Sequence, residues 1–196
     1  MPDVVLFHYV MGLTDGVRAF AEELGAGGHA VRTPDLYHGR VAASLQDGFA
    51  ITGEIGPETL EQRVEAALAD LGGDLVFAGM SSGVMHAQRL AQTRPGARGA
   101  LLYEACVPVT GEWAFGAWPE ALAAQVHGMD DDEFFAHEGD LAAARELSDA
   151  AGDDLVEVFT YPGGSHLFLD SSLETYDAAA TSTVLDRSRA FLDRLA

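Results

Sequence analysis

The stretch Gly79-Met80-Ser81-Ser82-Gly83 is the strongest indication of the fold of this protein. It follows a short apolar run at 75–78, which predicts a buried strand, and it precedes a stretch with helical periodicity. G-x-S-x-G between a strand and a helix is typical of a sharp turn with a strained serine at its tip, and glycines stand where a side chain would clash. Ser81 is therefore a candidate nucleophile for attack on acyl carbonyls.

The motif alone is a weak signal. The chain has 22 glycines among 196 residues, so that about 0.1 matches are expected by chance. The alternative interpretation is a glycine-rich turn whose serine caps the next helix. The rest of the chain has to choose between the two.

Length and composition suit one globular domain over residues 1–196. A hydrophobic content of 48% predicts a substantial core and argues against disorder. No apolar stretch approaches the ~20 residues of a membrane helix, and the first residues do not resemble a signal peptide. The one cysteine, Cys106, rules out an internal disulfide. We therefore expect a cytoplasmic protein.

The charge balance excludes several classes of partner. The net charge is −20, and all 11 basic residues are arginine. No sizeable basic patch can form, so nucleic acid and anionic membranes are not expected as partners. The absence of lysine excludes a P-loop and Schiff-base chemistry. No Cys/His spacing predicts a metal site, and we expect no cofactor.

Apolar runs and helical periodicities alternate along the chain. Strands interleaved with helices predict a doubly wound, mostly parallel sheet with helices on both faces. In such sheets the functional residues follow the carboxyl ends of strands. The strands are expected at 4–9, 29–33, 75–78, 100–103, 124–127 and 155–159, and helices after Thr14, after Pro57, after the Ser81 turn, at 141–148 and at 176–195.

A serine nucleophile needs a histidine base, which in this fold class comes last in the chain order Ser, Asp or Glu, His. Four histidines follow Ser81: His86, His127, His137 and His166. His166 comes directly after the last predicted strand, behind a Pro-Gly-Gly turn that can direct it over the edge of the sheet. We therefore assign His166 as the candidate base, against the alternative of a surface-loop histidine.

An acidic cluster supplies candidates for the third residue. Asp130, Asp131, Asp132 and Glu133 follow the strand that ends at His127. Adjacent carboxylates repel one another, so most of the four have to be solvated. One of them can orient the histidine, and the spacing alone does not say which.

Backbone amides are the expected oxyanion donors. These are the N–H of Ser82 and that of Val10 or Met11 in the loop after the first strand, with Val10 preferred. Candidate pocket residues are Tyr37 and His38 beyond the second strand and Trp113 and Trp118 in an aromatic loop, although packing explains them equally well.

The sequence resembles the dienelactone hydrolase family of α/β-hydrolases over nearly its whole length. The resemblance rests on segments 11–13 and 33–37, the Ser81 motif, the acidic loop and the stretch at 161–168. It implies an α/β-hydrolase fold without a large cap domain. Family members typically place an aromatic residue two positions after the acid, which selects Asp132 because Phe134 follows it.

The sequence also departs from the family pattern. The namesake enzymes use a cysteine where this chain has Ser81, and a glutamate where it has Tyr9, which becomes a further candidate pocket residue. They bind a substrate carboxylate through an arginine shortly after the histidine, where this chain has Asp170. We therefore expect neutral substrates to be preferred over dianionic ones.

Together these features predict a serine hydrolase that cleaves carboxylic esters or lactones through an acyl-enzyme on Ser81. Two alternatives remain: a ligand-binding homologue without hydrolytic activity, and an acyl or thioester transferase with the same triad. The sequence gives no indication of oligomeric state.

Overall fold

A computed structural model describes residues 3–196, which build a single parallel sheet of six strands. The spatial order is β2-β1-β3-β4-β5-β6, and every neighbouring pair is parallel. This confirms the predicted sheet. Its strands are β1 (Asp3–Phe7), β2 (Val31–Arg32), β3 (Leu75–Met80), β4 (Ala97–Tyr103), β5 (Ala123–Met129) and β6 (Val156–Tyr161).

Helices cover both faces of the sheet because its central strands are apolar on both sides. On β3, Phe77 packs into one core with α3, α4 and α5, while Val76 and Ala78 pack into the opposite core with α1 and α6. This layering is that of the α/β-hydrolase fold. The helices are α1 (Asp15–Gly25), α2 (Leu45–Ile55), α3 (Pro57–Leu68), α4 (Val84–Thr93), α5 (Asp140–Ala151) and α6 (Ala178–Arg194).

The bounds of several elements shift by a few residues, β1 for example ending at Phe7 rather than at residue 9, and two elements differ more. The second strand was expected over 29–33 but pairs only at Val31–Arg32, because it lies at the edge of the sheet with β1 as its single neighbour. Helix α2 was not predicted at all. Gly48 is its one fully buried residue, and its apolar residues Leu45, Ile51 and Ile55 are only partly buried against the cores, so the sequence signal for this helix is weak.

The topology brings the loops after the strands to one edge of the sheet. The chain moves from β1 outward to β2 and then crosses to β3 on the other side of β1. Such a reversal of strand order opens a crevice beyond the carboxyl ends of the strands. Tyr103 at the end of β4 pairs with Met80 of β3 and His127 of β5, so the loops after these strands are neighbours. Across residues 3–196, no helix combines the length and apolarity needed to cross a membrane.

Candidate active site

The turn between β3 and α4 presents Ser81 at its tip. Ser81 has φ of 45°, in the left-handed region that non-glycine residues rarely adopt. A Cβ on Gly79 would lie 2.5 Å from the backbone of Gly83, and one on Gly83 would lie 2.4 Å from the carbonyl oxygen of Phe7. Gly79 is therefore required for the turn to close on itself, and Gly83 for the turn to pack against the end of β1.

Ser81, His166 and Asp132 form a continuous chain of hydrogen bonds. The Ser81 Oγ lies 2.9 Å from His166 Nε2, and His166 Nδ1 lies 2.7 Å from Asp132 Oδ2. Because a carboxylate oxygen only accepts, Nδ1 carries the proton of the neutral ring and Nε2 is free to accept the Ser81 hydroxyl. This is the tautomer that a general base needs.

Asp132 alone of the four clustered acids reaches the histidine. Its side chain is fully buried, and its Oδ1 accepts a hydrogen bond of 2.9 Å from the N–H of Phe134. The other three are exposed to solvent: Asp130, Asp131 and Glu133. A tight turn over two residues thus folds one carboxylate inward and leaves its neighbours in water.

Opposing influences act on the base. Burial lowers the pKa of His166, but the hydrogen bond that its Nδ1–H donates to Asp132 and the negative charges of Glu104, Asp132 and Asp140 together raise that pKa above its usual value. A carboxylate that accepts the Nδ1 proton stabilises the imidazolium that forms when Nε2 takes a second proton. The arrangement therefore favours His166 as a proton acceptor.

Two backbone amides next to Ser81 are free to donate. Among the described residues, neither the N–H of Val10 nor that of Ser82 forms a hydrogen bond with the protein. Ser82 stands in the first turn of a helical segment, where amides lack intrahelical partners. Helix α2 packs closely behind Val10, since a Cβ on Gly48 would lie 2.5 Å from the Val10 carbonyl oxygen.

The other histidines after Ser81 lie outside this chain of hydrogen bonds. Burial lowers the pKa of His86 to about 4 and that of His127 to about 3. His127 bonds instead to the hydroxyl of Tyr161 at 2.8 Å. His137 is exposed beside Asp131.

Two clefts open on either side of the Ser81 turn. The first, of about 340 Å³, is lined by Ser81, His166 and Trp113, and we call it the His166 cleft. The second, of about 350 Å³, is lined by Val10, Tyr37 and aromatic neighbours, and we call it the Tyr37 cleft. Both volumes are typical of small-molecule sites. Two of the candidate pocket residues, Trp113 and Tyr37, line these clefts.

Three candidate pocket residues line neither cleft. Trp118 turns inward and donates from Nε1 to the Leu122 carbonyl at 2.8 Å, so its loop uses it for packing. His38 is exposed in the turn after β2. Tyr9 is buried, and its hydroxyl donates to Asp170 Oδ2 at 2.7 Å. These surroundings could not be read from the sequence, because single residues do not reveal which way a loop side chain points.

Asp170 ties two loops of the site together. One oxygen accepts from the hydroxyls of Tyr9 and Thr14, and the other accepts from the N–H and hydroxyl of Ser172. Tyr9 adjoins the Val10 amide, and Asp170 follows His166 by four positions. This network, which we call the Asp170 clasp, therefore links the loop of an oxyanion donor to the loop of the base.

Glu104, directly after β4, is a site residue that sequence reasoning missed. Its side chain is 1% exposed, and neither carboxylate oxygen has a hydrogen-bond partner within the described part of the chain. Burial raises its pKa to about 7, against the opposing influences of His166 and of the nearby backbone N–H of Phe168, whose geometry falls short of a regular hydrogen bond. Its place after a buried strand was the available signal, but the run around it reads as plain strand and loop.

Comparisons with known proteins identify solved structures with a similar fold. A protein from Klebsiella pneumoniae subsp. pneumoniae, described as a proposed dienelactone hydrolase, superposes with a TM-score of 0.75 at 16% identity, covering 99% of this chain and 87% of that one. The dienelactone hydrolase-like promiscuous phosphotriesterase P91 from metagenomic libraries gives 0.74 at 20% identity, covering 100% and 87%. Esterase Est2 of Thermogutta terrifontis gives 0.62 at 16%, covering 99% and 84%.

These structural likenesses show the α/β-hydrolase fold. No curated protein matches the sequence. Within residues 3–196, no group of three or more His, Cys, Asp or Glu side chains is arranged to hold a metal ion. The family is shown by the sequence itself: the family described as the dienelactone hydrolase family matches residues 1–196, and the chain therefore belongs to this family of ester-acting hydrolases.

Proposed function

We propose that this protein is a serine hydrolase that cleaves carboxylic esters or lactones through an acyl-enzyme on Ser81. The observation that carries the proposal is the hydrogen-bonded sequence from Ser81 through His166 to Asp132, at 2.9 and 2.7 Å. Its support is geometric, because nucleophile, base and orienting acid are already within reach of one another.

Acylation begins with proton transfer from the Ser81 hydroxyl to His166 Nε2. Ser81 Oγ bonds to the carbonyl carbon, and the carbonyl oxygen becomes an oxyanion that the N–H groups of Val10 and Ser82 stabilise. The tetrahedral intermediate collapses, the bond to the leaving oxygen breaks, and His166 returns its proton to that oxygen. Asp132 holds the ring through Nδ1 throughout.

Deacylation repeats the same steps with water. His166 takes a proton from a water molecule, whose oxygen bonds to the acyl carbon. Collapse of the second intermediate releases the carboxylic acid and returns the proton to Ser81. No step needs a group beyond these residues and water.

Two solved relatives support ester chemistry by their descriptions. P91 is described as a promiscuous phosphotriesterase, and the T. terrifontis esterase has been solved after modification by the organophosphate tabun. Organophosphates form stable adducts with activated serines, because the phosphorus centre resembles the tetrahedral intermediate. A fluorophosphonate is therefore a suitable probe of Ser81.

The test combines this probe with a matched pair of variants. We expect a fluorophosphonate to add covalently to Ser81 under native conditions, as located by peptide mass spectrometry. Ser81→Ala should lose the adduct and reduce kcat/KM for nitrophenyl esters by about ten thousandfold or more. Ser182→Ala, in an exposed position on α6, is the control that should retain both. A wild-type protein without adduct or turnover would instead support the ligand-binding alternative.

Transfer can be distinguished from hydrolysis by adding an acceptor. If an alcohol or thiol captures the acyl group faster than water does, the native reaction is transfer by the same acyl-enzyme. We propose hydrolysis because water is sufficient as the acceptor in the deacylation steps given above. A cytoplasmic location likewise stays a prediction, supported by the free, buried thiol of Cys106.

A further inference from the structure

The two clefts meet at the residues that would hold the reacting carbonyl. Ser82 and Met85 line both the His166 cleft and the Tyr37 cleft. Since the Ser82 amide is an oxyanion donor in the proposed mechanism, a carbonyl bound there has one cleft on each side. An ester also has two arms, one on the acyl carbon and one on the leaving oxygen.

Both clefts have apolar walls and apolar rims. Of the five large hydrophobic side chains that are exposed among the described residues, four line these clefts: Phe49, Met85, Trp113 and Phe134. Exposed apolar side chains gathered at one place indicate a binding surface. Their position predicts that both arms of the substrate are apolar where they contact the protein.

The position of His166 indicates which arm of the ester lies in which cleft. It has to return a proton to the leaving oxygen, so the alcohol arm lies on the side of the carbonyl that His166 occupies. His166 and Ser81 line the His166 cleft and do not line the Tyr37 cleft. The acyl arm then extends on the side of Val10 and Ser82, into the Tyr37 cleft.

Charge distinguishes the two clefts further. The His166 cleft is lined by the carboxyl groups of Glu138 and Asp140, and Glu104 lies within its wall. In the Tyr37 cleft, the guanidinium of Arg89 is neutralised by Glu61 at 2.6 Å. An anionic alcohol arm would be repelled in the first cleft, while an uncharged acyl arm meets no net charge in the second.

We propose, on the basis of the proposed function, that the Tyr37 cleft binds the acyl arm of an apolar ester and the His166 cleft binds an uncharged or positively charged alcohol arm. The substrate class is thus an ester of a medium-length apolar acid. The alcohol part carries no acidic group. Phe49 and Trp113 are the proposed specificity residues. Substitution of Phe49 should affect the selectivity for the acyl arm, and substitution of Trp113 the selectivity for the alcohol arm.

The experiment uses two truncations of exposed aromatic side chains, one in each cleft. Phe49→Ala removes apolar wall from the Tyr37 cleft, and Trp113→Ala removes it from the His166 cleft. With nitrophenyl acetate and nitrophenyl hexanoate, we expect Phe49→Ala to reduce the hexanoate preference in kcat/KM by about threefold to tenfold. Trp113→Ala should leave that preference within about twofold of the wild type.

Single-turnover kinetics separate the arms more sharply, because the alcohol has left before deacylation. Phe49→Ala should change the rate of deacylation of the hexanoyl-enzyme. Trp113→Ala should change acylation and leave deacylation as in the wild type. If Trp113→Ala alters deacylation and Phe49→Ala does not, the assignment of the arms is reversed and the proposal fails.

A third variant tests the charge of the alcohol arm. Glu138→Gln neutralises an exposed carboxylate of the His166 cleft, and Glu112→Gln is the matched control at an exposed acid that lines neither cleft. For hexanoate esters of a quaternary amino alcohol and of a hydroxy acid, we expect the wild type to favour the cation. Glu138→Gln should reduce that ratio by about twofold to fivefold at low ionic strength.

The outcomes distinguish this proposal from the proposed function. Without acylation of Ser81 by any nitrophenyl ester, the proposed function itself fails. With acylation and turnover, but with both truncations acting on the same arm or with the anionic alcohol preferred, the hydrolase stands and the assignment of the clefts is overturned.

Discussion

Two buried carboxyl groups near the candidate triad, those of Asp170 and Glu104, differ in their hydrogen bonding. Asp170 is 1% exposed and accepts four hydrogen bonds in the clasp between the Tyr9 and His166 loops. Glu104 is equally buried at 1% exposed, but within the described residues its oxygens accept no hydrogen bond of regular geometry, and the nearby N–H of Phe168 only partly offsets the effect of burial on its pKa. The carboxylate of Asp170 thus stabilises the structure through its hydrogen bonds, whereas burial disfavours the charged form of Glu104.

Burial alone therefore does not determine the charge state or the role of a carboxyl group. Donors around a buried carboxylate replace the water it has lost, whereas a carboxylate without donors is destabilised in its charged form. Asp170 is therefore a structural residue. Glu104, whose pKa burial raises to about 7, changes its charge close to neutral pH beside His166.

The largest expected effect comes from removing the partnered carboxylate. Asp170→Ala leaves the buried hydroxyls of Tyr9 and Thr14 without an acceptor, and we expect it to lower the free energy of unfolding by about 3 to 5 kcal/mol. Chemical denaturation measures this loss. Since the clasp links the loops of Val10 and His166, kcat/KM for esters should also fall.

Tyr9→Phe is the milder companion of that change. It removes one donor and keeps the ring and the remaining bonds of Asp170, so a loss of about 1 kcal/mol is expected. Equal losses in the two variants would show that the other hydrogen bonds of the clasp contribute nothing.

A pH-dependent effect on stability is expected at the carboxyl group of Glu104, which lacks a regular hydrogen-bond donor. Glutamate in the unfolded chain ionises with a pKa of 4.5, and burial raises the pKa of Glu104 to about 7. Between these pH values the folded state keeps a proton that the unfolded state has released. The stabilisation that the bound proton of Glu104 gives the folded state is therefore fully present below pH 4.5. As the pH rises to 7, the free energy of unfolding falls by about 3 kcal/mol.

Glu104→Gln should remove that loss. Compared with the wild type, the variant should gain about 3 kcal/mol of unfolding free energy between acid and mildly alkaline pH, whatever constant offset the amide brings. Denaturation midpoints measured across this pH range for both proteins provide the test. Parallel curves would mean that Glu104 finds donors in solution and is not unpartnered.

The smallest expected effect is on the pH dependence of activity. Neutral His166 is the form that accepts a proton, so kcat/KM should rise with pH through its pKa, which is raised above 6.5. The charge of Glu104 contributes to that elevation. Glu104→Gln should therefore move the rising limb of the profile to lower pH, as measured with nitrophenyl esters. An unmoved limb would show that the two groups titrate independently.

Some features of the fold and site were predictable because they rest on local chemistry. The apolar run before Ser81 indicated a buried strand, and the flanking glycines indicated a turn too tight for side chains. The position of His166 after the last strand followed from the rule that such loops converge on one edge. Each of these signals lies within a few neighbouring residues.

Other features were not predictable because they depend on contacts between distant segments. Helix α2 fully buries one glycine, against the Val10 loop, and the sequence signal for it is weak. Tyr9 was expected in the pocket, yet its hydroxyl donates to a residue 161 positions away. Trp113 and Trp118 are alike in sequence, and only packing directs one to the cleft and the other to the interior.

The order of strands and helices along the chain, the nucleophile turn and the candidates for base and acid could be read from the sequence alone. Backbone geometry and hydrophobic periodicity act over short stretches, so that local residues specify these features. The tertiary structure was needed to show that Asp132, which the family pattern selects, is buried while its neighbours stay in water, where the two clefts lie and that Glu104 is buried near the base. Those properties arise from which segments shield one another from water, and burial is a property of the whole fold.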